Sequence, residues 1–161
     1  MLWHPEGMND ADTEIASIEY ESLVFSRHQS EMSGRSRRTG GVLDQSAYTL
    51  LTLLQAGGPA SIGELSAITG LDASTLNRQT AALLRDGHAE RIPDPDGGMA
   101  RKFRLTPAGE SAVDEERRGS RAVLQDLLEQ WSQQDRETFA TLLGRFNRSI
   151  EDRSGRTWPR F

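Results

Sequence analysis

The chain has 161 residues, enough for one domain with a core and marginal for two. Hydrophobic residues make up 35% of it, which is low for a compact globule and better suited to an elongated helical assembly, and the formal net charge is -5. No apolar run approaches membrane-spanning length, MLWHPEGMND has neither the cationic start nor the apolar core of a signal peptide, and zero cysteines exclude disulfides, thiolate metal sites and thiol-based peroxide sensing. A cytoplasmic protein is expected.

Residues 1–10 read as a loose tail, with Met8 an alternative start. A first helix follows over roughly 11–33, with Ile15, Ile18, Ser22, Phe25 and Met32 near one stripe. The linker SGRSRRTGG places Arg35, Arg37 and Arg38 among Gly and Ser. Such a charge run is either a solvated loop or a phosphate contact flanking a DNA-binding module. Asp44 then caps a helix carrying Tyr48, Leu51 and Leu54, which Gly57-Gly58-Pro59 stops.

Residues 61–106 are the most informative stretch. Ser61 and Glu64 have the S-x-x-E spacing of a capping box, opening a helix with Ile62, Leu65 and Ile68 on its buried side. Gly70 supplies a sharp turn, and Asp72 caps the next helix, which carries Leu76, Thr80, Leu83 and Leu84 on one side and ends at Gly87. Opposite lie Ala73, Ser74, Asn77, Arg78 and Ala81, with Thr75 on the flank. Small residues let a helix enter a groove, and Ser, Thr, Asn and Arg offer donors and acceptors to phosphates and base edges. An ordinary solvated face has the same composition. The following hairpin favours the DNA reading.

Its first strand is expected over His88 to Ile92 and its second over RKFRLT, where Arg101, Phe103 and Leu105 alternate with Lys102, Arg104 and Thr106. That alternation predicts an apolar side inward and a cationic side outward. Pro93, Asp94, Pro95, Asp96, Gly97 and Gly98 form a turn-rich tip between the strands. Ser74, Thr75, Asn77 and Arg78 on the helix, with Arg101 and Lys102 on the wing, are therefore the candidate DNA contacts.

Thr106 and Pro107 open a long helix whose apolar seam is Val113, then Val123, Leu124, Leu127, Leu128 and Trp131. Ser132 opens a last helix with Phe139, Leu142, Leu143, Phe146 and Ile150 on one side. Together with the first helix, these are too long to cover one winged module alone, so dimerisation is expected to bury them, the alternative being a monomeric helical cap over a single core.

The acid excess is uneven. Residues 1–26 hold six acids and no Lys or Arg, residues 27–106 hold ten bases against eight acids, and residues 107–161 hold nine against ten. The proposed DNA module is thus weakly positive inside an acidic chain.

The segments LDQSAYTLLTLL, SIGELSAITGLDASTLNRQTAALLRDGHAERIPDPDGG and RLTPAGESAVDE resemble, in that order, the bacterial MarR-type transcriptional regulators, in detail from about Asp44 to Glu116. The resemblance implies a dimer that binds double-stranded DNA at palindromic operators, usually as a repressor, often released by a small anionic or aromatic ligand. Tyr20, Phe25, His28 and Tyr48 from the first two helices could line such a ligand site, or serve as packing. One departure is visible: the tip positions where the family commonly carries an Asp and an Arg are Gly97 and Gly98 or Met99 here.

Catalysis finds little support. Asp94 and Asp96 read as turn formers, His4, His28 and His88 lack ligand spacing, and the Gly-Gly pairs lack a phosphate-cradling pattern. No enzyme, metal or cofactor is expected. The fold expected is mainly α (α+β), a winged helix-turn-helix with long terminal dimerisation helices. Its parts are a tail at 1–10, a helix and linker at 11–41, the DNA module at 42–106, C-terminal helices at 107–154 and a tail at 155–161. The alternative is a winged-helix protein interaction module without specific DNA binding.

Overall fold

A computed structural model describes residues 10–32 and 43–161, so the expectations for the tail, for Met8 and for Arg35, Arg37 and Arg38 lie outside the described residues. The elements run α1 Asp10–Met32, α2 Gln45–Gly57, α3 Ile62–Thr69, α4 Ala73–Arg85, β1 Ala89–Ile92, β2 Lys102–Leu105, α5 Pro107–Leu127 and α6 Gln133–Ser154. Each helix from α2 onward starts on a side-chain cap: Asp44, Ser61, Asp72, Thr106 and Ser132 all accept a backbone N–H of the first turn. Ser61 and Glu64 complete the reciprocal capping box, and Gly70 leaves α3 in the left-handed conformation at φ 74°.

The core lies between α2 and the elements wrapped around it. Leu50, Leu51, Leu53 and Leu54 of α2 meet Leu65 of α3, Leu76 and Leu83 of α4, Phe103 of β2, and Ala112 and Val113 of α5. α2 is apolar on most sides because it is surrounded, whereas α3 and α4 bury one stripe each. Leu43 joins this core, and its N–H donates to the buried Glu116 carboxylate of α5 at 2.8 Å. That bond ties the entry of α2 to the helix after the wing.

β1 and β2 pair antiparallel with Ala89 opposite Leu105 and Ile92 opposite Lys102. Both strands are shorter than expected. The Thr106 N–H still donates to the His88 carbonyl at 3.1 Å, but the His88 N–H is taken by the Leu83 carbonyl at the α4 exit and Thr106 caps α5, so this last pair is only half made. Thr106 also donates its hydroxyl to the Gly87 carbonyl at 2.6 Å, joining the end of the wing to the end of α4. A third stretch pairs where only a loop was expected. Ala60 exchanges two backbone hydrogen bonds with Phe103, at 2.8 and 3.0 Å, so the linker before α3 lies along the wing.

Within β2 the strand alternation fails at Lys102, and just before it Arg101, in the same alternate set as Phe103, is exposed. Phe103 is buried as expected, but so is Lys102, which was expected to face outward. The reason is electrostatic and is described with the site.

The terminal helices are different in kind. α6 has no buried residue, and Phe139, Leu142, Leu143, Phe146 and Ile150 are each 40–54% exposed. Ile15, Ile18, Leu23 and Phe25 of α1 and Leu124, Leu127 and Trp131 at the end of α5 are also exposed. Trp131 and Phe139 stack edge to face at 5.5 Å. Residues 155–161, expected as a tail, fold back on the module: Pro159 lies against Gly57, the Arg156 guanidinium lies over Gly70, and Arg117 sits 4.6 Å above the Phe161 ring. Arg160 and Glu151 form the ion pair that holds this return. Among the described residues no helix is long and apolar enough to cross a membrane.

Gly109 sits in the first turn of α5, where a Cβ would stand 2.0 Å from the His88 carbonyl oxygen. Gly109→Ala is expected to force the helix and strand apart and lower stability by about 1–3 kcal/mol, as overpacking of a tight core does. Urea unfolding of parent and variant measures it, and an unchanged midpoint would mean that this junction yields without cost.

Candidate nucleic-acid interface

α4 is mounted by its apolar stripe. Leu76, Thr80 and Leu83 are buried, and the Thr80 hydroxyl is satisfied by the Leu76 carbonyl at 2.8 Å. The 3.6-residue period then turns Ala73, Ser74, Asn77, Arg78 and Ala81 to solvent, with Thr75 half-buried at the edge. This is the face that the sequence singles out. It is unobstructed among the described residues.

Its polar groups are not equivalent. The Asp72 carboxylate accepts the Thr75 N–H and the Thr75 hydroxyl, both at 2.8 Å, and the Ser74 hydroxyl in a short bond. These bonds, the Ser74 hydroxyl foremost, hold the Asp72 carboxyl far below the usual carboxylate range. Ser74 and Thr75 therefore have their hydroxyl hydrogens engaged within the turn. Arg78 reaches back one turn to donate to Thr75 Oγ1 at 3.2 Å, which leaves most of its guanidinium donors open. Asn77 makes no side-chain hydrogen bond among the described residues, so its amide can present a donor and an acceptor together.

The wing stands beside this helix. Arg104 pairs with its cross-strand neighbour Glu90 at 2.7 Å, and the Arg91 guanidinium lies 5.3 Å from the centre of the Phe103 ring. Arg101 is exposed at the foot of β2 and has no ion-pair partner among the described residues. Met99 projects fully from the tip.

Lys102 departs from the expectation of an outward phosphate contact. Its ammonium lies 3.1 Å from Glu64, 3.3 Å from Asp94 and 3.9 Å from Asp96, and its side chain is only 11% exposed. The Glu64 hydrogen bond leads the effects that raise its pKa, against the penalty of burial. Glu64 is lowered, first by the Ser61 N–H it accepts, and Asp94 is lowered, first by the Asp96 N–H. The capping box marked Glu64 as a local feature. Its second partner comes from 38 residues away, and no local spacing signals it.

Tyr20, Phe25, His28 and Tyr48 differ in exposure. The first three lie on the exposed surface of α1, and Tyr48 packs partly buried against the core. A separate open crevice beside α4 is lined by Gln45, Thr49, Thr69, Leu71, Gln79 and Trp158, and includes none of the four. No group of three or more His, Asp or Glu among the described residues is placed to hold a metal ion.

Comparison with known proteins adds an independent line. The sequence model of the MarR family matches residues 41–98. An HTH-type transcriptional regulator of Bacillus subtilis (strain 168), the uncharacterized YxaD, is 36% identical over 138 residues, covering 86% of this chain and 96% of the relative. Among solved structures, a probable transcriptional regulator from Pseudomonas aeruginosa superposes with a TM-score of 0.61 at 25% identity, covering 78% of this chain and 95% of its own. A MarR family protein from Bacillus stearothermophilus shares the fold, with a TM-score of 0.70 at 23% identity over 89% of this chain and 99% of its own.

The Asp72 cap yields a pH prediction. Its carboxyl is depressed in the folded chain, so its contribution is present above the ordinary aspartate pKa and is lost as pH falls through the depressed value. Asp72→Asn keeps a cap oxygen without that titration. Parent and variant are expected to differ in melting temperature at neutral pH by a gap that begins to narrow only as the pH falls below about 4 and goes on closing in stronger acid. A constant gap across the range would show that the carboxylate charge is not what holds the turn.

Proposed function

The chain belongs to the MarR family of transcriptional regulators, and from that premise we propose that it binds a palindromic operator as a homodimer and represses transcription there. The observation that carries this reading is α4, a rigidly seated amphipathic helix with an exposed face of Ala, Ser, Asn and Arg, next to a basic-footed hairpin. In a winged helix-turn-helix the second helix enters the major groove and the wing meets the flanking backbone. Asn77 and Arg78 are the side chains with donors open for base edges. Arg101 is the backbone contact, and Ser74 and Thr75 shape the helix entry around Asp72.

The dimer is supported by what one chain leaves uncovered. Exposed apolar residues run along α1, the end of α5 and α6, and contiguous apolar surface of that kind marks a site that a partner covers. Burying it against a second copy produces a two-fold axis, and two reading helices related by that axis suit a palindrome with half-sites about one helical turn apart. We assign no effector site to Tyr20, Phe25, His28 and Tyr48, the first three exposed on α1 and the last at the edge of the core.

Mobility shift against palindromic duplexes from upstream of the protein's own gene, with excess unrelated DNA, tests the reading directly. Asn77→Ala and Arg78→Ala are each expected to weaken specific binding by about 1–3 kcal/mol while leaving dimer mass and melting temperature unchanged. Equal binding of specific and unrelated duplexes by the parent would favour a protein interaction module instead.

The seam has its own test. Leu142→Glu or Phe146→Glu puts a charge where the partner's apolar side chains are proposed to pack, and is expected to dissociate or unfold the protein. Sedimentation equilibrium at micromolar concentration reads it, and a monomeric parent would defeat the dimer proposal.

A further inference from the structure

The wing carries a charge node centred on the buried ammonium of Lys102, which the sequence offered as a DNA contact. Lys102 comes from the last strand, Glu64 from the first turn of α3, and Asp94 and Asp96 from the wing loop, so one ammonium joins three segments. Glu64 has a carboxylate oxygen in each of two structures: Oε2 accepts the Ser61 N–H at 2.7 Å in the capping box, and Oε1 accepts from Lys102. The start of the helix-turn-helix and the root of the wing are thereby held by the same side chain.

The two glycines at the tip fit this arrangement. Gly97 adopts φ 80°, where a side chain is strained, and a Cβ on Gly98 would stand 2.2 Å from Asp94 Oδ2. The loop folds onto the Asp94 carboxylate, which in turn lies on Lys102. These positions thus serve the backbone of a closed loop and present no charged side chain.

We propose that Lys102 is the positioning residue of the wing, setting the hairpin's place against the helix-turn-helix so that Arg101 meets the DNA backbone while Lys102 itself touches no phosphate. The proposal rests on the DNA-binding reading above. An independent phosphate contact and a positioning residue differ in how they combine with Arg101. Losses from independent contacts add, whereas a residue that works through Arg101 has nothing left to lose once Arg101 is gone.

The test is a salt titration of operator binding by the full-length dimer, for the parent, Arg101→Ala, Lys102→Met, the double variant, Gly98→Ala and Lys102→Arg, each checked for dimer mass and thermal melt. Arg101→Ala, Lys102→Met and Gly98→Ala are each expected to weaken binding by about tenfold and to flatten the salt slope by about one unit. The double variant should bind no worse than Arg101→Ala alone, and Lys102→Arg should restore most of the affinity. Gly98→Ala is the arm that matters most, because it changes no charge and disturbs the node only through Asp94. It also serves if Lys102→Met fails to fold. Additive losses in the double variant, with Gly98→Ala unaffected, would make Lys102 a phosphate contact and overturn the proposal. Parent-like binding by Lys102→Met would overturn it too, leaving the node purely structural. Failure of the parent to prefer any operator would instead remove the DNA-binding reading, and this inference with it.

Discussion

Phe103 is the point on which the two halves of the DNA-binding module depend. Its ring is almost wholly buried among the leucines of α2, while its backbone N–H and carbonyl both bond to Ala60. The ring joins the wing to the helical core by apolar burial, and the backbone joins it to the linker that launches α3. With the strand held there, its neighbours have little freedom. Arg91 opposite covers the ring, Lys102 before it must find partners in a partly desolvated place, and Thr106 after it reaches Gly87 to close the loop.

That arrangement restrains α4, the proposed reading helix, on both flanks. α4 begins at Asp72, whose carboxylate gathers the hydroxyls of Ser74 and Thr75, and it ends where Gly87 and His88 are captured by α5 and its cap. A recognition element benefits from such restraint, because fewer rotamers and backbone states have to be frozen on binding. It also divides labour among polar residues that look alike in the sequence. Ser74 and Thr75 are turned inward on a carboxylate, and Asn77 and Arg78 are turned outward with open donors.

The charge distribution has a similar logic. An acidic chain meets a polyanion with few spare cations, so the placement of each one matters more than the total. Arg104 is paired with Glu90, and Lys102 is shared among Glu64, Asp94 and Asp96, leaving Arg101 exposed without an ion-pair partner among the described residues. The C-terminal return adds Arg156 over Gly70, beside the turn between α3 and α4.

Local chemistry determined much of this in the sequence itself. The caps at Asp44, Ser61, Asp72, Thr106 and Ser132, the turn at Gly70 and the buried stripes of α3 and α4 all depend on residues within about one helical turn of each other, so spacing alone reveals them. The exposed face of α4 follows from the same period. Other features depended on the tertiary structure: the burial of Lys102, the Ala60–Phe103 bridge, the Glu116 bond to Leu43 and the folding back of residues 155–161. Each joins groups far apart along the chain, and strand alternation treated Lys102 as an exposed cation because it knows only the two faces of a strand. Which carboxylate stands across from an ammonium is decided by how the elements pack, and a buried charge is stable only where that packing supplies its partner.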